Sequence, residues 1–246
     1  MKALVSGGTG FVGRYLVNEL CGQGKEVRIL TRTIPKDAID YKAGVEFWKG
    51  NVTKPESLKA IGEGVDVVFH LAAMGHVSAI SRKAYEQFYA VNVQGTENLM
   101  SALAGESVQK FVHFSSTAAM GLIKKEVVDE TDTPQPSTPY QKSKLQSEHA
   151  VLRQSRELNI PTIVLRPCMI YGLGGYGEFY KISMLMRKGR FPKVGRGRNL
   201  TPLVHVKDVV QAAIKGVRNG VNGEVYLVAL NRSLPLDESR YMTMNA

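Results

Sequence analysis

Three side chains of this sequence, Ser116, Tyr140 and Lys144, have the chemistry to move a proton to or from a substrate oxygen. Tyr140 and Lys144 are four residues apart, so they share a face if their segment is helical. An ammonium beside a phenol stabilises the phenolate and lowers its pKa, which lets a tyrosine exchange protons near neutral pH. A hydroxyl at the end of a neighbouring strand would orient the substrate oxygen, and Ser115 or Ser116 lies at such a place.

The elements that must position these residues alternate between strand-like and helix-like periodicity. Apolar runs predict strands at residues 2–6, 27–31, 45–49, 65–71, 110–115 and 162–166. Helical spacing predicts helices over residues 11–20, 85–103 and 140–158. Thr53-x-x-Glu56 predicts a capping box that opens a further helix through Ile61. This alternation predicts an α/β fold with a doubly wound parallel sheet of the Rossmann type, which binds ligands at the carboxyl ends of its strands.

A glycine turn, Gly7-x-x-Gly10-x-x-Gly13, lies between the first strand and the first helix. At this spacing one glycine makes the tight turn, one lets the backbone approach a pyrophosphate, and one packs the helix against the strand. The N-terminus of the helix then offers N–H groups and a positive dipole end to the phosphates. The turn therefore predicts a bound dinucleotide, and an oxidised nicotinamide near Tyr140 would favour the phenolate further.

The end of the second strand bears on which dinucleotide is bound. NAD sites usually place an acidic residue there for the ribose 2′-hydroxyl. Here the strand ends Leu30-Thr31-Arg32-Thr33, without an acid. A guanidinium suits a 2′-phosphate, so Arg32 favours NADP over NAD, although it could also be a solvated surface residue. Asn51, after the third strand, is either an adenine ligand or a turn residue.

The chain divides by pattern into two parts. Residues 1–166 are predicted to form the dinucleotide-binding Rossmann domain. Residues 167–246 are predicted to form a partial substrate-binding lobe interleaved with it, with helices at 179–188 and 208–218 and strands at 203–206 and 224–228. After Pro167 the periodicity loosens, so this lobe is predicted to be smaller and irregular.

Composition and charge exclude several classes of protein. The chain has 246 residues, of which 43% are hydrophobic and 22% are charged, as in ordinary globular proteins. It contains no apolar run of about 18 residues and its N-terminus does not resemble a signal peptide, which predicts a cytoplasmic protein without a membrane span. Cys21 and Cys168 lack metal-type spacing, so we predict buried thiols and no metal site. A disulfide between them stays an alternative.

Several motifs, in this order and spacing, resemble the extended short-chain dehydrogenase/reductase superfamily, also called the NAD-dependent epimerase/dehydratase family. The matching segments are Gly7-Gly8-Thr9-Gly10-Phe11-Val12-Gly13, His70-Leu71-Ala72-Ala73, Asn92-Val93-Gln94-Gly95-Thr96, Phe114-Ser115-Ser116, Tyr140-Gln141-Lys142-Ser143-Lys144, Leu165-Arg166-Pro167, Tyr171-Gly172 and Val204-His205-Val206-Lys207-Asp208. The resemblance implies that Ser116 polarises the substrate oxygen, that Tyr140 is the acid/base, and that Lys144 steers Tyr140 and bonds the nicotinamide ribose.

The glycine turn, the strand ends and the resemblance together give a set of predicted cofactor-binding residues. The set is Gly7, Thr9, Gly10, Phe11, Val12, Gly13, Arg32, Asn51, Val52, Leu71, Ala72, Ala73, Asn92, Ser115, Tyr140, Lys144 and Pro167. The resemblance also implies a homodimer, formed through the helices at 85–103 and 140–158.

The sequence departs from the nucleotide-sugar branch of this family at two positions. Met169 stands where those enzymes often have an asparagine, and Thr201 where they often have an arginine. Both differences favour an oxidoreductase that acts on a carbonyl or alcohol, with an epimerase or dehydratase and a catalytically silent cofactor-binding protein as alternatives.

The formal charge of +10 could reflect an acidic small molecule, nucleic acid, a membrane surface or simple solubility. Basic residues crowd one short stretch, at Arg187, Lys188, Arg190, Lys193, Arg196 and Arg198. The cluster either grips an anionic substrate or is a solvated loop. Few aromatic platforms accompany it, so a nucleic-acid partner is not predicted.

Overall fold

The computed structural model describes residues 1–35, 44–75, 82–125, 127–190, 200–230 and 234–235. Its centre is a seven-stranded sheet of β1 Lys2–Ser6, β2 Glu26–Thr31, β3 Val45–Lys49, β4 Val67–His70, β5 Lys110–Phe114, β6 Thr162–Pro167 and β10 Val225–Val228. The strands lie in the spatial order β10-β6-β5-β4-β1-β2-β3, and all their pairs are parallel. The predicted doubly wound Rossmann-type sheet is thereby confirmed.

Helices cover the sheet and connect its strands. They are α1 Phe11–Gly22, α2 Arg82–Phe88, α3 Gly95–Ser101, α4 Pro139–Glu157, α5 Glu178–Arg187 and α6 Val206–Asn219. Short 3₁₀ turns lie at Pro55–Leu58 and Thr117–Met120. A π-helical turn, Tyr89–Gln94, joins α2 to α3, so the helix predicted at 85–103 is one helical run with a widened middle.

Two apolar clusters hold the sheet, one on each face. One surrounds Val5, Leu16 and Phe69 and packs α1 and α6 against the strands. The other surrounds Leu4, Leu99 and Phe111 and packs α3 and α4. Central strands buried on both faces explain the unbroken apolar runs in the sequence, because helices cover such parallel strands on either side.

The predicted helix from Thr53 to Ile61 is wrong. The side-chain oxygen of Asn51 accepts the N–H of Thr53 (3.1 Å), and the backbone N–H of Lys54 bonds Asn51 O (2.8 Å). These bonds make a turn in which Thr53 does not cap a helix. Only the 3₁₀ turn that begins at Pro55 follows.

Beyond β6, short strands pair away from the main sheet. β7 Met169–Tyr171 is parallel to β9 Leu203–His205, and β8 Leu200–Thr201 is antiparallel to β11 Leu234–Pro235. Lys193, Arg196, Arg198 and most of the C-terminal tail lie outside the described residues. Cys21 and Cys168 are not joined by a disulfide, and Cys168 is buried whereas Cys21 is only half-buried, which corrects the prediction of two buried thiols. Within the described ranges no helix is long and apolar enough to cross a membrane.

Candidate active site

The glycine turn has the shape that a dinucleotide pyrophosphate requires. Gly7 has a φ of +76°, and a Cβ there would lie 2.9 Å from Ala72 N. A Cβ on Gly13 would lie 2.2 Å from Gly7 O, so any side chain would force the helix off the strand. Gly10 precedes α1 without a capping side chain, and the first turn of α1 carries no acid. The N–H groups at this helix end therefore face an exposed position suited to phosphate, and the residues present fit an NAD(P) cofactor.

A directed chain of buried hydrogen bonds fixes the strand ends beside this turn. Ala72 N–H donates to Ser6 Oγ (3.2 Å), and Ser6 Oγ bonds His70 Nδ1 (2.6 Å). His70 Nε2 bonds Thr96 Oγ1 (2.9 Å), and that hydroxyl donates to Asn92 O (2.7 Å). Because the Thr96 hydroxyl donates its hydrogen to Asn92 O, it can only accept from His70, so His70 Nε2 carries the hydrogen. His70 Nδ1 in the neutral ring is then the acceptor. His70 is thus a neutral link that ties β1 and β4 to the π-helical turn.

Tyr140 and Ser116 meet at the carboxyl edge of the sheet. The Ser116 hydroxyl lies close enough to the Tyr140 phenol to act on its pKa, and the ring of Tyr140 packs against Phe88 with centroids 5.7 Å apart. Burial raises the pKa of the Tyr140 phenol, and the Ser116 hydroxyl opposes this shift. The sequence predicted a lowered pKa, so the structure differs on this point. A neutral phenol is the form that donates a proton, which suits carbonyl reduction.

Lys144 lies one turn further along α4 and is buried beneath this edge. Its Nζ donates to Phe114 O (2.8 Å), the carbonyl of the last residue of β5. Burial lowers the pKa of Lys144 to about 8, and the negative charge of Glu148 acts in the opposite direction. At pH 7 the ammonium therefore remains charged on the same helix face as Tyr140.

Two sets of hydrogen bonds fix the position of α4. Thr138 and Gln141 form a capping box at its start, with Thr138 Oγ1 accepting Gln141 N (3.3 Å) and Gln141 Oε1 accepting Thr138 N (3.1 Å). One turn later Ser143 Oγ donates to Tyr140 O (2.8 Å) and accepts from Asn92 Nδ2 (2.9 Å). Asn92 Oδ1 in turn accepts Met74 N (2.7 Å). The π-helical turn thus joins the segment after β4 to the helix that carries Tyr140.

A buried ion pair lies behind Lys144. Glu148 is 1% exposed and Arg166 is 4% exposed. Arg166 Nη2 bonds Glu148 Oε2 (2.6 Å), Arg166 Nε bonds Glu148 Oε1 (3.0 Å), and Ser115 Oγ donates to the same Oε1. The sequence reasoning did not single out Glu148. Its signal was the i, i+4 spacing from Lys144, which continues the spacing from Tyr140 by one further turn.

Comparison with known proteins agrees with this architecture. The family model for the NAD dependent epimerase/dehydratase family matches residues 3–229. The chain belongs to this family. Its recognition from the sequence, and the prediction of an NAD(P)-dependent enzyme of this kind, are therefore confirmed.

Individual relatives include both reductases and nucleotide-sugar enzymes. A 4-hydroxy-2-methyl-3-oxo-4-farnesyl-3,4-dihydroquinoline-1-oxide ketoreductase of Stigmatella aurantiaca is 30% identical, over 99% of this chain and 72% of its own length. The dTDP-D-glucose 4,6-dehydratase of Homo sapiens is 28% identical, over 94% of this chain and 69% of its own. Among solved structures, a DesIV double mutant, a dTDP-glucose 4,6-dehydratase from Streptomyces venezuelae with NAD and DAU bound, superposes with a TM-score of 0.85. It is 25% identical, over 100% of this chain and 80% of its own.

Within this family fold, several predicted cofactor residues lie around one edge of the sheet. Arg32 is exposed directly after β2, and Ala73 is exposed in the segment after β4. Pro167 is buried at the end of β6. The ring of Phe11 lies against Gly175 of the second lobe, where a Cβ would be 2.8 Å away. These residues therefore lie near the carboxyl ends of the strands.

Three predicted cofactor residues use their side chains elsewhere. The Asn92 amide is 1% exposed and bonds Met74 and Ser143, so this side chain supports the site from inside the protein. The Ser115 hydroxyl is directed at Glu148, which makes Ser116 the hydroxyl that faces Tyr140. The Asn51 side chain bonds Thr53 N, which favours its role as a turn residue. For these residues, contact with the cofactor through the side chain is a prediction that the geometry disfavours.

The second lobe places aromatic rings beside this edge. Tyr171, which ends β7, packs against Phe179 of α5 with centroids 5.3 Å apart and against His205 at 5.1 Å. Tyr15 of α1 donates its hydroxyl to Leu173 O (3.0 Å), which links the lobe to the helix after the glycine turn. Met169, where related enzymes often have an asparagine, lies on the same short strand as Tyr171. This part of the lobe offers apolar and aromatic side chains.

Proposed function

We propose that this protein is an NAD(P)(H)-dependent oxidoreductase that interconverts a carbonyl and an alcohol, with Tyr140 as the acid/base. The observation that carries the proposal is that the Ser116 hydroxyl lies beside the Tyr140 phenol, with the Lys144 ammonium on the same helix face. Two adjacent hydroxyls can both form a hydrogen bond with one substrate oxygen. Ser116 would orient that oxygen, and Tyr140 would give it a proton or take one from it.

Each step on the protein side follows from the site. When bound, the dinucleotide supplies or accepts the hydride. In the reductive direction Tyr140 donates its proton to the developing alkoxide, and the Lys144 charge stabilises the phenolate that remains. Phe114 O holds Lys144 in this position, while Phe88 excludes water from one side of the tyrosine ring.

The substrate we propose is an apolar or ring-containing ketone or alcohol. Tyr171, Phe179 and Met169 support this substrate class, because aromatic and thioether side chains bind apolar rings more readily than they bind a diphosphate. The ketoreductase relative acts on a farnesylated ring ketone, as its name states.

The alternative we retain is an epimerase or dehydratase of a nucleotide sugar, which recycles its cofactor. It is favoured by the DesIV neighbour and by the exposed basic residues Arg187, Lys188 and Arg190 at the end of α5.

Turnover assays distinguish the two. NADPH and NADH are mixed with the protein and a panel of aliphatic, cyclic and aromatic ketones, and loss of the reduced cofactor is followed by absorbance. We expect steady oxidation with at least one apolar cyclic ketone. UDP-glucose and dTDP-glucose are incubated in parallel with NAD and analysed by chromatography. Conversion of a nucleotide sugar without net change in cofactor, together with no ketone reduction, would replace the proposal by its alternative.

We also propose that NADP is the preferred cofactor, through Arg32. The Arg32→Asp variant is expected to lower the affinity for NADPH relative to NADH by about one hundredfold, because one charge-assisted phosphate contact is lost and a repulsive charge is added. Isothermal titration with both cofactors measures this ratio. Arg156→Asp is the matched control, since Arg156 is exposed in the last turn of α4. Equal affinities of the unaltered protein for NADPH and NADH would show that Arg32 does not select the cofactor.

Three further statements remain proposals. We place the protein in the cytoplasm, and we propose a homodimer formed through the helical run from α2 to α3 together with α4, which pack against each other. We also keep the division into a cofactor domain, residues 1–166, and a substrate lobe, residues 167–246, as a proposal.

A further inference from the structure

Two cations and one anion are buried together behind Tyr140. Lys144 and Arg166 are both cations that are less than 5% exposed, and Glu148 is a carboxylate buried with them. Arg166 cannot lose its proton, whereas a buried lysine can. If the carboxylate were absent, two cations would be buried side by side, and Lys144 would lose its proton more readily than Arg166.

The contacts of Glu148 reach both ends of the catalytic constellation. Ser115, which donates to Glu148, lies between Phe114, whose carbonyl holds Lys144, and Ser116, whose hydroxyl lies beside the Tyr140 phenol. Arg166 on β6 holds the carboxylate with two hydrogen bonds. One carboxylate therefore fixes the strand segment that places two partners of the active site.

We propose that Glu148 is a positioning residue of this site: clamped by Arg166 and Ser115, its carboxylate keeps Lys144 charged and in place one helical turn below Tyr140. This assignment rests on the proposed function, because in that function the charge of Lys144 stabilises the Tyr140 phenolate.

The other titratable groups of the described residues that face Lys144 carry no negative charge. His113 on β5 and His70 on β4 are both fully buried beside it, and burial together with the Lys144 charge lowers the pKa of each well below its usual range. Both histidines are therefore neutral at pH 7. On α4 itself Tyr140 is a neutral phenol, and on β6 Arg166 is engaged by Glu148. Glu148 thus remains as the negative charge that acts on Lys144 within the described part of the chain.

The test observes Lys144 directly and needs no substrate. Protein labelled with ¹⁵N-lysine is titrated by NMR, and the Lys144 Nζ signal is assigned by its loss in Lys144→Met. Glu148→Gln keeps the size and the hydrogen-bonding atoms but removes the charge. We expect the titration midpoint of Lys144 to fall by about one pH unit or more in this variant. Glu157→Gln is the matched control on the same helix, because Glu157 is exposed and its pair with Arg153 is long (3.6 Å); there the midpoint stays unchanged.

A second variant covers a failure of Glu148→Gln to fold, since an unpaired buried guanidinium is strongly destabilising. Arg166→Met keeps the carboxylate and removes the cation that shares it, so the midpoint of Lys144 is expected to rise in this variant. A midpoint equal to that of the unaltered protein in either folded variant would overturn the assignment and leave Glu148 a purely structural residue.

The outcome is separable from the fate of the proposed function. A lowered Lys144 midpoint in a protein that reduces no ketone would refute the oxidoreductase proposal and keep the link between Glu148 and Lys144. An unchanged midpoint in a protein that does reduce ketones would refute the role of Glu148 and keep the oxidoreductase proposal.

Discussion

Replacing Tyr140 by phenylalanine is expected to lower kcat/KM for ketone reduction by about a thousandfold and to change the dissociation constant of NADPH by less than about twofold. The variant loses the hydroxyl that lies beside Ser116 and keeps the ring that packs on Phe88. It removes the proton donor without opening a cavity, so the fold and the cofactor site should persist. Initial rates with the fastest ketone of the panel, together with titration calorimetry for NADPH, measure the two quantities.

Tyr226→Phe is the control for the loss of a phenol hydroxyl. Tyr226 lies in β10, and its hydroxyl accepts the N–H of Val221 (2.9 Å), in the segment that precedes this strand. Its removal should leave kcat/KM unchanged. If Tyr140→Phe kept more than about a tenth of the activity, proton transfer by Tyr140 would be excluded as a major contribution to the rate.

The sheet and the glycine turn could be predicted because their physical requirements are local. β4 and β5 are buried on both faces, so their sequences, V-V-F-H and K-F-V-H-F, are mostly apolar instead of alternating between polar and apolar residues. Gly13 tolerates no side chain because it faces Gly7 O, which is six residues earlier in the sequence. Patterns of this kind need only nearby residues to be recognised.

The interior of the site could not be predicted, because the buried face of α4 is mostly polar. Its buried residues include Ser143, Lys144, Ser147 and Glu148, whose partners come from other elements. Hydrophobic periodicity assigns such residues to the surface. Pairing Glu148 with Arg166 requires knowing that β6 lies beside β5 under this helix, which is information about the tertiary fold.

The failures at Thr53 and Asn92 have a related cause. The Thr53-x-x-Glu56 spacing fits a capping box, in which the Glu56 side chain would accept the N–H of Thr53. The Asn51 side chain accepts that N–H instead. Asn92 fits a motif that suggested a cofactor ligand, but the π-helical turn directs its amide at Met74 and Ser143. In both cases the sequence correctly predicted a polar residue with a specific hydrogen-bonding role. The predicted hydrogen-bond partner was wrong, because a local hydrogen bond or the geometry of the helix determines which partner the side chain reaches.

Acid is expected to destabilise this protein well above the pH at which carboxylates titrate. Burial, followed by the Lys144 charge, lowers the pKa of His70 to about 3, and burial lowers the pKa of His113 well below its usual value of 6.5. Both are neutral in the folded protein, whereas the unfolded chain protonates them below about pH 6.5. The unfolded state therefore binds more protons as the pH falls, and the free energy of unfolding decreases from about pH 6.5 downward.

Between about pH 7 and pH 5 the expected loss is about 2 kcal/mol for each histidine and about 4 kcal/mol for the pair. Other shifted groups contribute little in this interval. Glu46, Asp129 and Asp132 have lowered pKa values, so their stabilisation is lost only at more acidic pH. Lys144, with a pKa of about 8, is protonated in both states throughout. Urea unfolding followed by circular dichroism at the two pH values measures the difference.

Single variants assign this loss to its source. His113 Nε2 donates to Ser147 Oγ (3.0 Å), and within the described residues His113 Nδ1 has no hydrogen-bond partner, so a proton arriving at Nδ1 would meet no acceptor. His113→Gln should reduce the pH-dependent loss by about half, because a glutamine does not titrate. His149→Gln, at an exposed position of α4, should leave it unchanged. A loss of equal size in His113→Gln and in the unaltered protein would mean that His113 is not the buried neutral imidazole that its position between His70 and Lys144 requires.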